Sequence, residues 1–114
     1  MPDEHEVRAA LAEVVSRVDA LDDDTRRKIP DRAISAVITD LDLAWIGRFE
    51  SGQLLDVREI DPSAAAGAAF RLRMSSDTFL DVVEDRLAFT AGWGKGRIRV
   101  DAGLRDLLAL RSFL

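Results

Sequence analysis

The 114-residue sequence predicts a mixed α/β domain, with five strands in one sheet and helices over one of its faces. Three observations lead there. Near both ends of the chain, apolar residues recur at spacings of three and four, the period of a helix with one buried stripe. Between residues 33 and 60 the pattern becomes alternation, the period of a half-buried strand, and it returns at 70–74 and 97–101. The middle runs are joined by turns too short for a crossover, so those three strands form an antiparallel meander.

The first helix starts near Asp3, where acidic residues face its positive end, and Val7, Leu11, Val14, Val18 and Leu21 make its stripe. The run Asp22-Asp23-Asp24-Thr25 breaks it and recaps a short second helix that ends before Pro30. Ile34, Ala36 and Ile38 share one face of the first strand. Leu43, Trp45, Gly47 and Phe49 share one face of the second, with Thr39-Asp40-Leu41-Asp42 as the turn. Ser51-Gly52 reverses the chain into a third strand, Gln53 to Ile60, stopped by Asp61-Pro62. An alanine-rich crossover leads to the fourth, Phe70 to Met74. Ser75-Ser76-Asp77 then caps a helix whose stripe is Phe79, Leu80, Val83 and Leu87. A glycine–tryptophan loop passes into a fifth strand, Arg97 to Asp101, and a last helix carries Leu104, Leu107, Leu108, Leu110 and Phe113. The expected organisation is a single domain over 1–114, helical over 1–30, with sheet and covering helices over 33–114.

Composition narrows the function classes. At 47% hydrophobic and 32% charged the chain has enough apolar content for a core and is no disordered tail. A net charge of −5 argues against nonspecific binding to nucleic acid or to an anionic membrane. The absence of cysteine removes disulfide frameworks and thiolate metal sites, and suits a reducing cytosol. No run approaches the ~18 apolar residues of a membrane span, and the first six residues are acidic where a signal peptide is basic. A cytoplasmic protein without stable membrane insertion is the expectation. The wealth of arginine, alanine and aspartate suits a bacterial one.

Reactive chemistry is thin. The stretch TAGWGKGRIRV, Thr90 to Val100, has the glycines of a phosphate loop but not its context, because Gly96 opens into an alternating run rather than a helix. His5 stands on an exposed first turn. Ser75 and Ser76 are explained by capping, and no nucleophile-elbow pattern surrounds any serine. The three consecutive aspartates lack the ligand spacing of a calcium loop. No catalytic residue, metal or cofactor is expected. Two features remain. Arg71 and Arg73 on one strand and Arg97 and Arg99 on another would share the face opposite Phe70, Leu72, Ile98 and Val100 if the strands pair. That face is either a solvated exterior or a docking patch for an acidic partner or a phosphate-bearing head group. The other feature is the aromatic set Trp45, Phe49, Phe70, Phe79, Phe89, Trp93 and Phe113: each one alone is most simply a core residue, and as a group they suggest more.

The residues Ala44-Trp45 with Phe49 and Ser51-Gly52, then Phe70 to Asp77, then Phe79 to Val83, then Gly96 to Val100 leading into Leu104 to Leu108, form a series in order and spacing. In that series the chain after its first helix resembles the sterol carrier protein family, small lipid-transfer domains found alone or fused to enzymes. The resemblance implies a twisted sheet of about five strands with helices on one side. It also implies an apolar tunnel between them for a fatty acid, acyl-CoA, sterol or phospholipid. Carried over residue by residue, the lining is Trp45, Phe70, Leu72, Met74, Phe79, Val83, Trp93, Ile98, Leu107 and Leu108. Gly92, Gly94 and Gly96 would let backbone pass close to a neighbouring helix while Trp93 turns toward the tunnel. Where the family places a proline and bulky aromatics, this chain has the smaller Leu87 to Gly92. The function implied is noncatalytic binding or transfer of an apolar lipid. The alternative is a filled core, with a role as a homodimerisation or accessory piece for a partner enzyme.

Overall fold

The structure, a computed structural model, describes residues 2–103. Helix α1 (Glu4–Asp19) is capped by Asp3, whose carboxylate accepts the Glu6 N–H at 2.8 Å. Glu4 and Glu6 add negative charge to its first turn. The aspartate run has the same use: Asp22 accepts the Thr25 N–H at 2.8 Å and starts α2 (Asp23–Arg27). Hydrogen bonds from Thr25 hold the Asp22 carboxyl below its ordinary range. No helix among the described residues is long and apolar enough to cross a membrane.

Five strands form one sheet, β1 (Arg32–Ile38), β2 (Leu43–Glu50), β3 (Gln53–Ile60), β4 (Phe70–Met74) and β5 (Arg99–Asp101), in the order β3-β2-β1-β4-β5. β1, β2 and β3 are the antiparallel meander. β4 runs parallel to β1, and β5 antiparallel to β4. The β2–β3 turn places Ser51 and Gly52 both at positive φ, 53° and 76°, the twist that matches a two-residue hairpin. A Cβ on Gly52 would also come within 2.5 Å of Arg26 Cβ.

Register assigns the faces. Ile38 lies opposite Leu43 and Met74, Ala36 opposite Trp45 and Leu72, Ile34 opposite Gly47 and Phe70, and Leu72 opposite Val100. These residues make the inner face. Above it pack Val7 and Ala10 of α1, Phe79, Leu80 and Val83 of α3 (Ser76–Val83), and Ile98. The β3–β4 crossover takes the other side. It contains a 3₁₀ turn, Pro62–Gly67, held to the outer face where the Ser35 hydroxyl donates to the Ala65 carbonyl at 2.9 Å.

Three local expectations give way. α3 ends at Val83, and Leu87 follows a turn in which Asp85 has φ 61°. The glycine–tryptophan stretch is not a loop but a short helix, α4 (Phe89–Gly94), with the Phe89 and Trp93 rings one turn apart at 6.3 Å. Only Gly92 has the expected close neighbour, and it is a side chain: a Cβ there would meet Ile98 Cδ1 at 2.7 Å. Gly96 ends the helix at φ 77°, while a Cβ on Gly94 would meet open space. Finally, β5 begins at Arg99 rather than Arg97. The Arg97 and Ile98 N–H groups both donate to the Gly92 carbonyl, at 2.9 and 3.1 Å, and so cap α4 instead of joining the ladder. The expected last helix, Leu104 to Phe113, lies outside the described residues.

Candidate functional site

A polar clasp decides which part of the inner face is covered. Ser75 caps α3 by accepting the Thr78 N–H at 3.2 Å. Ser76 gives its N–H and its hydroxyl to the two carboxylate oxygens of Asp40, at 2.7 and 2.6 Å. Partial burial pushes the Asp40 carboxyl up, but the two bonds from Ser76 outweigh it and hold the group below its ordinary range. The β1–β2 turn is thereby tied to the first turn of α3. Both serines are consumed by structure. α1 is tied down separately: Arg8 pairs with Glu59 of β3 at 3.0 Å, and Arg17 donates to the Val83 carbonyl at 2.6 Å.

Under this clasp the inner face is closed. Ile38 is fully buried, and Leu43, Trp45 and Met74 nearly so, against Val7, Phe79, Leu80 and Val83. Farther along the same strands the cover thins. Ile34, Phe70, Leu72 and Val100 form a contiguous apolar row that is only half-buried, and Phe49 and Trp93 are half-buried as well. Leu72 and Val100 pack against the closed core, so the row continues it without a polar break.

The expected lining residues divide between these regions. Trp45, Met74, Phe79, Val83 and Ile98 belong to the contiguous core. Phe70, Leu72 and Trp93 are half-buried. Leu107 and Leu108 lie outside the described residues. Two residues absent from that lining stand in the row itself, Ile34 and Val100. Their alternation was readable, but only the β1–β4–β5 pairing puts them beside Phe70 and Leu72.

The arginines also divide. Arg71, Arg73 and Arg99 share the outer face by register. Arg97 does not join them: its guanidinium is bound by Asp81 of α3 at 3.0 Å. Arg97, and after it Arg86, hold the Asp81 carboxyl below its ordinary range. Among the described residues no group of three or more His, Cys, Asp or Glu is arranged to hold a metal ion.

No protein-family model and no curated protein matches the chain. Solved structures do. A crystal structure of sterol carrier protein 2 matches with a TM-score of 0.68 at 14% identity, over 89% of this chain and 83% of that one. The solution structure of palmitated SCP2L2 from Aedes aegypti gives 0.62 at 16% identity, over 88% of this chain and 87% of that one. The stereoselective inverting sec-alkylsulfatase Pisa1 from Pseudomonas sp. gives 0.55 at 19% identity over 76% of this chain, which spans only 13% of the length of that enzyme. The fold is that of sterol carrier protein 2, a mixed five-stranded sheet with α1 and α3 packed against the inner face.

Proposed function

We propose that this chain is a noncatalytic module that binds or transfers an apolar lipid, held against the half-covered end of the inner face. The observation that carries the reading is the row Ile34, Phe70, Leu72 and Val100, apolar, continuous with the core and only half-buried. Each methylene that leaves water for such a surface gains about 0.8 kcal/mol, so an acyl chain can be held with no reactive group at all. Phe70, Leu72 and Trp93, with Ile34 and Val100, would wall the site. Trp45, Met74, Phe79, Val83 and Ile98 would make its floor, and Leu107 and Leu108 would complete it. The fold shared with a protein solved in palmitated form supports a fatty acyl chain as the ligand to try first. Sterols, acyl-CoA and phospholipids are the other candidates.

The test pairs native mass spectrometry of the purified chain with a palmitate titration followed by the fluorescence of Trp45 and Trp93. The expected result is a copurified or exchangeable lipid and a saturable fluorescence change, lost in Leu72→Glu. No copurified lipid together with no saturable change would overturn the reading. A concentration-dependent dimer in sedimentation, or retention of a partner enzyme, would then replace it with an interaction domain whose core is full.

A further inference from the structure

The outer face of the sheet holds an unbalanced charge pair. Arg73 of β4 and Arg99 of β5 occupy directly opposed positions of an antiparallel pair. Side chains so placed start about 5 Å apart, and like charges there oppose strand pairing. The adjoining position is balanced: Arg71 faces Asp101, and its guanidinium also donates to the Ala68 carbonyl at 2.8 Å. Among the described residues the Arg99 guanidinium has only a long, solvent-exposed contact with Asp101 at 3.6 Å. The Arg73 guanidinium makes no hydrogen bond or ion pair with the other described residues. In a chain of net charge −5, this is a local concentration of cations rather than part of a generally basic surface.

Shape agrees with charge. Two surface recesses meet at Arg73. One, of about 200 Å³, lies against the 3₁₀ turn beside Ala65 and Arg71; the other, of about 670 Å³, opens toward Thr78, Arg97 and Arg99. Each also holds one carboxylate, Asp101 in the first and Asp77 in the second, which leaves the cations in excess. Guanidinium groups present paired N–H donors that match the oxygens of a phosphate, and an oxyanion between two of them turns a repulsive pair into a bridged one.

We propose that Arg73 and Arg99 bind a phosphate group on the outer face of the sheet, on the side opposite the apolar row. The chemistry is shared by a soluble phosphate and by a phospholipid head group. Arginine side-chain N–H resonances of the full chain, followed by NMR during titration with inorganic phosphate, test the site. Arg73 and Arg99 signals are expected to shift saturably. Arg73→Gln and Arg99→Gln should each weaken binding about tenfold, the worth of one charge-assisted hydrogen bond, whereas Arg58→Gln on the same face leaves it unchanged. Phosphate should also raise the melting temperature of the wild type and not that of Arg73→Gln. Cosedimentation with vesicles of phosphatidic acid in phosphatidylcholine, but not phosphatidylcholine alone, identifies the head group as the source. Saturation by inorganic phosphate without cosedimentation identifies a soluble one. Shifts that survive both substitutions, no saturation in either arm, or binding of polyglutamate in place of phosphate would overturn the proposal.

Discussion

The two ends of the sheet's inner face are built from similar residues and end in different states. At one end Ile38 and Met74 are buried beneath α3; at the other Ile34 and Leu72, four and two positions earlier on the same two strands, are half-buried. Hydropathy does not separate an isoleucine from an isoleucine. What separates them is where α3 is allowed to begin. The helix starts directly after β4, and Asp40 fastens its first turn to the β1–β2 hairpin, so its apolar side settles over the C-terminal ends of β1 and β4. A few polar bonds thus decide which part of the apolar face α3 covers.

The largest expected effect comes from a direct exchange between the ends. Ile38→Ala empties a fully enclosed site and should cost about 2–5 kcal/mol in urea unfolding. Leu72→Ala removes a side chain that already meets solvent, and should cost about 1 kcal/mol. Equal losses would mean that the ends are packed alike. Under the lipid-binding proposal palmitate sharpens the contrast: it should stabilise the wild type and Ile38→Ala alike, and Leu72→Ala much less.

The next effect turns on two glycines of α4. Helix propensity alone makes Gly→Ala favourable by up to about 1 kcal/mol, and Gly94→Ala, with nothing within 4 Å of its new Cβ, should show some of that gain. Gly92→Ala should go the other way by about 1–3 kcal/mol, because its Cβ would press on Ile98 Cδ1 at 2.7 Å, deep in the core. Thermal unfolding of the two variants measures the difference, and two shifts of the same sign would show that α4 does not sit tightly on Ile98.

These glycines also mark where the sequence stops being readable. The strands, the Ser51-Gly52 turn and the caps at Asp3, Asp22 and Ser75 are local features: a period of two, a turn dipeptide, a side chain reaching its third neighbour. α4 is not local. Two glycines in six residues disfavour a helix, and the segment is set by Ile98 filling the space beside Gly92 and by two N–H groups returning to the Gly92 carbonyl. The same bonds shorten β5. The diversion of Arg97 depends on Asp81, sixteen residues away, the place of Ile34 on a parallel pairing with β4, and that of Val100 on an antiparallel one, neither announced by a turn. The sequence supplied the apolar character of the candidate site. Which of those side chains are sealed and which half-open follows from helix placement, which periodicity does not encode.

The smallest effect tests the clasp itself. Asp40 is ionised more readily in the folded chain than in the unfolded one, since Ser76 bonds its carboxylate. Its contribution to stability is therefore complete above the unfolded value of about 3.9 and fades as pH falls through the lower, folded value. Asp40→Asn keeps one acceptor for Ser76 and does not titrate. The stability of the wild type relative to this variant should be constant near neutrality and shrink below about pH 4, by no more than about 1 kcal/mol because the carboxylate meets solvent. Asp22 and Asp81 are shifted in the same direction and weaken both proteins alike, so the difference isolates Asp40. Hydrogen exchange in the same pH window locates the effect: protection should fall first in the amides of α3 above Ile38 and change little along the half-covered row. A loss that begins at Ile34 and Leu72 would mean that the clasp does not set the boundary between the two ends.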